Sequence, residues 1–184
     1  GLDVCDNTFL TDNDTSTILI DQSQVEIDAA IGSANYDIGH TVSTGGGGLA
    51  QLNSPCTSNK ARGITGSPAP VGDPFDIDYV AHEMGHQFGA THTQNNNCNR
   101  SAGTAVETGS GNTIMGYAGI CAPDVQSNSD AHFHTVSLNQ MMTFTTSTGN
   151  CAPNALNGNT PPAVNAGVDR TIPKGTPFIL FPQS

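Results

Sequence analysis

The stretch HEMGHQFGATH, His82 to His92, decides how this chain is read. It holds three of the six histidines, at spacings of four and six, with Glu83 directly after the first. Upstream, GDPFDIDYVA makes it the end of the strongest helix signal in the sequence. Asp73 is predicted as N-cap, Pro74 occupies the favoured first position, and Asp76 and Asp78 complement the dipole of the first turn. On such a helix His82 and His86 stand one turn plus about 40° apart, so both imidazoles face one side.

Zinc takes imidazole nitrogens at about 2.0–2.1 Å, and two histidines on one rigid element meet that need. Glu83 points off the ligand axis and is better placed as a base than as a third ligand. Gly89 can adopt the left-handed conformation that ends the helix and turns His92 back toward the metal. Three histidines leave a fourth position for water, which marks a catalytic site rather than a closed structural one. With this composition the five fixed positions would arise by chance in about one such chain in a hundred thousand, which sets aside histidines on a merely solvated helix face.

The rest of the chain gives this site a setting. Its 184 residues suffice for one core-bearing domain with some excess. Charged residues make up only 11 %, while Gly and Pro number 21 and 11, a profile of a loop-rich globular domain. A net charge of −11 repels phosphate backbones and anionic lipid, which argues against nucleic acid and membrane surfaces as partners. No apolar run approaches the roughly 20 residues of a membrane span. The acidity reads first as solubility; calcium binding by part of it is the sharper alternative, but no acidic cluster matches a known calcium loop. Five widely spaced cysteines without a CxxC pair fit an oxidising, extracellular compartment, with one thiol left over.

Along the chain, residues 1–20 read as a strand at best, then loop. Val25, Ile27, Ala30 and Ile31 are spaced as on a short helix stopped by Gly32. YDIGHTVS reads as a strand, the four glycines at 45–48 as an exposed turn, and GLAQL as a short edge strand. Residues 93–130 are loop-like apart from TIMGYAGIC. SLNQMMTFTT reads as a last helix capped by Ser137, burying Leu138, Met141, Met142 and Phe144. His40, His132 and His134 read as structural or solvated. The domain spans 1–152, followed by a linker at 153–165. RTIPKGTPFILF, within 166–184, then opens as strand–turn–strand of an incomplete β-rich, immunoglobulin- or PKD-like module.

The extended motif, with TIMGYAG downstream, resembles the metzincin metallopeptidases. GLAQLNSPC and STGGGGLAQL resemble the reprolysin (adamalysin-like) branch and its secreted bacterial members, over about residues 20–151. The resemblance implies an α/β (α+β) metzincin catalytic domain: a mixed twisted sheet, an active-site helix, a Met-turn and a C-terminal helix, with the N-terminal part of the domain missing. It implies zinc on His82, His86 and His92, Glu83 as catalytic base, and Met115 as the floor beneath the metal. Substrate would lie against an edge strand at Gly48, Leu49, Ala50, Gln51 and Leu52, where an exposed strand offers unpaired backbone groups. It also implies Cys56–Cys151 and Cys98–Cys121. Closing so long a first loop would stabilise by about 4–5 kcal/mol, and Cys5 is left unmatched. Two features depart from the branch. Thr93 stands where Asp usually follows the third histidine, and Tyr117 matches the tyrosine that other metzincins supply to zinc or the transition state, or else simply packs.

The expected protein is thus a secreted zinc endopeptidase with protein or peptide substrates and an unspecified oligomeric state. The rival expectation is a non-catalytic binding or adhesion module of a larger secreted protein, built on the same scaffold.

Overall fold

The structure, a computed structural model, describes residues 16–153, 158–160, 163, 165 and 167–179. Cys5 lies outside them. The chain divides into two units, residues 1–152 and 153–184.

In the first unit a small mixed sheet separates two helices. Helix α1 runs Ser16–Ile31, strands β1, β2 and β3 run Thr41–Ser43, Gly47–Ala50 and Gly63–Gly66, and the strand order is β1-β3-β2. β3 pairs parallel with β1 and antiparallel with β2. YDIGHTVS therefore contributes a strand only at its end, and two of the four glycines lie in β2 rather than in a turn.

α1 begins well before the helix expected from Val25 onward. Its first turns, STILI, are rich in β-branched residues that disfavour helix locally. Leu19 and Ile20 are nevertheless buried against Ile64, with Leu49 packed beside them. Burying such a side chain is worth about 1.5–3 kcal/mol, far more than the propensity difference it overrides. Ser23, on the same face, donates to the Ala61 carbonyl at 2.7 Å and shares a 2.8 Å bond with Thr41, docking α1 onto the sheet. Val25 is exposed.

The opposite face of the sheet carries glycine at two positions, Gly48 and Gly63. A Cβ at Gly48 would stand 2.6 Å from Glu83 Cδ, and one at Gly63 would stand 2.6 Å from Gln87 Nε2. Side chains are absent there because two polar side chains of the helix beneath, one turn apart, fill the space. Gln87 is fully buried and donates to the Gly39 carbonyl at 2.9 Å and to Ser54 Oγ at 3.2 Å. Its Oε1 meets His40 Nδ1 at 2.8 Å, and His40 Nε2 reaches Thr65 Oγ1 at 2.8 Å. Burial pushes the His40 imidazole below its ordinary range, although the Gln87 bond opposes this. His40 is thus a polar tie between sheet and helix.

The helix itself is one run from Asp73 to Gln87: α2 Asp73–Phe75, a π-helical stretch Asp76–Ala81, and α3 His82–Gln87. The cap is Gly72, whose carbonyl accepts from Phe75 and Asp76, not Asp73, which is the first helical residue. The last helix, α4 Thr135–Thr145, is capped by His134, whose Nδ1 accepts from Val136 N at 3.2 Å; the expected cap, Ser137, lies inside it. Phe144 is buried and Met141 packs against the Met115 cluster, but Leu138 and Met142 face outward. Two disulfides, Cys56–Cys151 and Cys98–Cys121, tie the unit.

In the second unit a turn at Lys174–Gly175 carries a bond from Thr176 N to the Pro173 carbonyl, with no strand among the described residues of 170–179.

Candidate active site

Helix α3 carries His82, Glu83 and His86, and its ending sets the position of His92. Gly89, at φ 93°, donates to the His86 carbonyl at 2.8 Å, while Ala90 N donates to the Gly85 carbonyl at 2.9 Å. This pair of bonds is a Schellman ending, which needs the left-handed residue that glycine supplies. The chain reverses there and brings His92 beside the two helical histidines.

All three imidazoles are held in the same way. His82 Nδ1 meets the Ile114 carbonyl, His86 Nδ1 the Ala90 carbonyl and His92 Nδ1 the Asn99 carbonyl, each at 2.7 Å. A carbonyl only accepts, so each Nδ1 carries the hydrogen and each Nε2 keeps a bare lone pair. Those lone pairs converge: His86 Nε2 and His92 Nε2 are 3.0 Å apart, and ligand atoms of all three residues lie within 4.8 Å of one another. Two acceptors at 3.0 Å repel unless a cation stands between them, so the donor set suits a metal that takes imidazole nitrogen. Burial pushes His82 down to about 3, helped by the neighbouring His86 ring, and His86 down to about 4. His92 is also lowered by burial. Neutral imidazoles at pH 7 are the form that ligates.

Glu83 is 9 % exposed, and burial pushes its carboxyl up to about 8. It packs against the backbone of β2 at Gly48. The outer edge of β2 carries no further strand among the described residues. Gln51 N donates to the Arg62 carbonyl at 2.9 Å, continuing the register that pairs Leu49 with Ile64 and Gly47 with Gly66. In an antiparallel ladder the intervening residues turn their N–H and C=O outward, so Gly48 and Ala50 present theirs to the free edge. Gln51 follows the strand and Leu52 lies in the turn beyond it.

Met115 is fully buried beneath α3, clustered with Ala90 and Ile114 and flanked by Ile77, Ala81, Phe133 and Met141. Its Sδ would be 2.5 Å from a Cβ at Gly85, so the glycine within the helix is what lets the methionine fit. Tyr117 stands against the cluster, its ring centroid 4.6 Å from that of His92 and 5.7 Å from that of His82. Its hydroxyl accepts from Asn99 Nδ2 at 3.3 Å. Burial raises the phenol above its ordinary range.

Several residues that build the site are not among those singled out in the sequence. Asn99, at φ 49°, presents the carbonyl that orients His92, next to the half-cystine Cys98. Glu107 is buried and accepts three hydrogen bonds from residues 112 and 113. Gly48, expected only as part of the substrate-binding strand, also seats Glu83. The one available signal was rarity: Glu107 is one of three glutamates in the chain. Thr93, the departure from the reprolysin pattern, is fully buried and donates its N–H to the Met115 carbonyl at 3.0 Å. Among the described residues no other group of three or more His, Cys, Asp or Glu converges in this way, and no helix is long and apolar enough to cross a membrane.

A search of curated proteins gives no match to this chain. The family model described as metallo-peptidase family M12B, reprolysin-like, matches residues 6–146, which include the whole histidine cluster, β2, Met115 and α4. With the site and three quarters of its length inside that match, the chain belongs to the reprolysin-like metallopeptidases.

Proposed function

We propose that this chain is a secreted zinc endopeptidase that cuts extended protein substrates, with Glu83 as its general base. The observation that carries the reading is the arrangement of three imidazoles, each with Nδ1 committed to a backbone carbonyl and Nε2 aimed at a common point, beside a buried carboxyl. Bound at that point, zinc would polarise the scissile carbonyl and lower the pKa of its water to near 7.

The remaining steps belong to the chain's own residues. Glu83 takes the proton of the attacking water and passes it to the leaving amine. The cation held by the three histidines would favour the ionised form of Glu83, which is the form that accepts the water's proton. The outward backbone groups of Gly48 and Ala50 hold the substrate antiparallel to β2, on either side of Leu49. Gln51 commits its N–H to Arg62, and Leu52 extends the wall of the cleft. Met115 keeps the floor dry and rigid. The Tyr117 hydroxyl, held as an acceptor by Asn99, retains its own hydrogen for the oxyanion of the transition state. Two disulfides and the acidic surface suit an extracellular setting. Residues 153–165 serve as a linker to a further β-rich module that starts within 166–184.

Casein digestion tests the activity. Cleavage should be lost with o-phenanthroline and restored by added zinc, and the new N-termini should fall within the casein chains. Cleavage that persists in the chelator contradicts the metal mechanism, and release of terminal residues alone contradicts the endopeptidase assignment.

A further inference from the structure

Glu107 belongs neither to the sheet nor to the active-site helix, yet it is one of the most heavily bonded side chains in the unit. It is 8 % exposed. Its Oε1 accepts from Asn112 N at 2.9 Å and Thr113 N at 3.0 Å, and its Oε2 accepts from Thr113 Oγ1 at 2.6 Å. Gly111, at φ 71°, lets the turn wrap closely round the carboxylate: a Cβ there would stand 3.2 Å from Glu107 Cδ. Among the described residues the one salt bridge is Arg62–Asp21, so the charge of Glu107 is balanced by N–H and O–H donors rather than by a cation. A buried carboxylate costs far more than an apolar side chain unless its hydrogen bonds are all made, so packing alone does not account for it.

Where the donors lie gives the reason. Asn112 and Thr113 directly precede Ile114, whose carbonyl receives His82 Nδ1, and Met115, whose carbonyl receives Thr93 N. The backbone N–H of Glu107 donates to the Thr93 carbonyl at 2.9 Å, one residue past His92, and Glu107 forms a lone β-bridge with Gln94. Glu107 therefore joins the segment that orients the first histidine to the segment that carries the third. No regular secondary structure performs that task, because residues 93–134 contain no helix or strand beyond that single bridge.

We propose that Glu107 is a positioning residue of the metal centre. Its carboxylate fixes the Asn112–Thr113 turn so that the Ile114 carbonyl holds His82 in the ligating tautomer, while its backbone fixes the approach of His92. The proposal rests on the reading of the three histidines as a metal site. Partners of this outer kind typically change metal affinity by about 10–100-fold.

The test is zinc affinity of the full chain, by competition with a chromophoric chelator, beside melting of the metal-free protein. Glu107→Ala should bind zinc about 10-fold or more weakly. Glu107→Gln should recover most of that loss, since an amide oxygen can still accept both backbone N–H groups and the amide NH₂ can donate to the Thr113 hydroxyl. Should Glu107→Ala not fold, Thr113→Val reads the same link, with zinc binding weaker by about threefold. A zinc affinity of Glu107→Ala within about twofold of wild type, with lowered melting alone, would make Glu107 a structural residue and overturn the proposal. The same holds for an unchanged Thr113→Val where that variant is used. A wild-type chain that binds no zinc defeats the three-histidine reading itself, and a wild-type chain that binds tightly with an indifferent Glu107→Ala defeats this proposal alone.

Discussion

The site has two halves built on different principles. His82, Glu83 and His86 ride on a regular helix pressed against a sheet that carries glycine at two facing positions, Gly48 and Gly63. His92, Met115 and Tyr117 ride on a stretch that is almost all loop, held by a disulfide and by side chains bonded to backbone: Asn96 Nδ2 to the Cys121 and Pro123 carbonyls, Glu107 to the 112–113 turn, and the Asn99 carbonyl to His92. A helix repeats one local rule, so its functional residues share a face by spacing alone. A loop must be pinned bond by bond, and each pin is a separate point of failure.

The largest expected break in this contrast comes from the Cys98–Cys121 bridge. Replacing both cysteines by serine removes a 23-residue closure, worth about 3 kcal/mol in the chain-entropy model. Chemical unfolding should show that loss, and zinc affinity should fall with it, because Asn99 and its carbonyl sit beside Cys98. Unchanged zinc affinity would mean that the loop half holds its geometry without the bridge.

Gly48→Ala probes the other half. Its methyl would collide with the Glu83 carboxyl and push it from its seat. A displacement of about 1 Å at a catalytic group costs on the order of 10²-fold, so peptide hydrolysis should fall by about that factor while zinc content stays at wild-type level. Loss of zinc in this variant would show that the two halves are not separable.

Acid separates them further. Burial alone would raise Glu107, but its bonds from the Thr113 hydroxyl and the 112–113 amides outweigh that and hold it below the ordinary carboxylate range. A lowered folded-state pKa gives stability that is complete above about 4.5 and fades as pH falls through the folded value. Urea unfolding of wild type and Glu107→Gln should therefore differ at pH 7 and converge toward pH 3. A gap that widens on acidification would contradict the assignment of those bonds. The smallest effect belongs to Tyr117→Phe. The ring keeps its packing on His92, and losing one hydroxyl should lower kcat a few-fold with KM and zinc content unchanged.

The contrast also explains what was legible in the sequence. The helix, its stop at Gly89 and the histidine spacing follow from local rules, and all are present in the fold. Local rules misread STILI in α1, because burial of Leu19 and Ile20 outweighs β-branched propensity, and they placed the helix cap at Asp73 where Gly72 serves. The π-helical stretch at Asp76–Ala81 has no signature in residue spacing. The pins of the loop half were invisible for a different reason. A side chain bonded to backbone 5 or 25 residues away leaves no periodic trace, so Glu107 and Asn96 read as ordinary loop polarity.

The central claim is that the three histidines hold zinc while Glu83 moves the proton. Metal analysis and peptide hydrolysis on the Glu83→Gln variant test it together. One zinc per chain, as in wild type, with hydrolysis lost by at least about 10²-fold, is the predicted result. Zinc absent from the wild-type chain, or hydrolysis undiminished in Glu83→Gln, would contradict it.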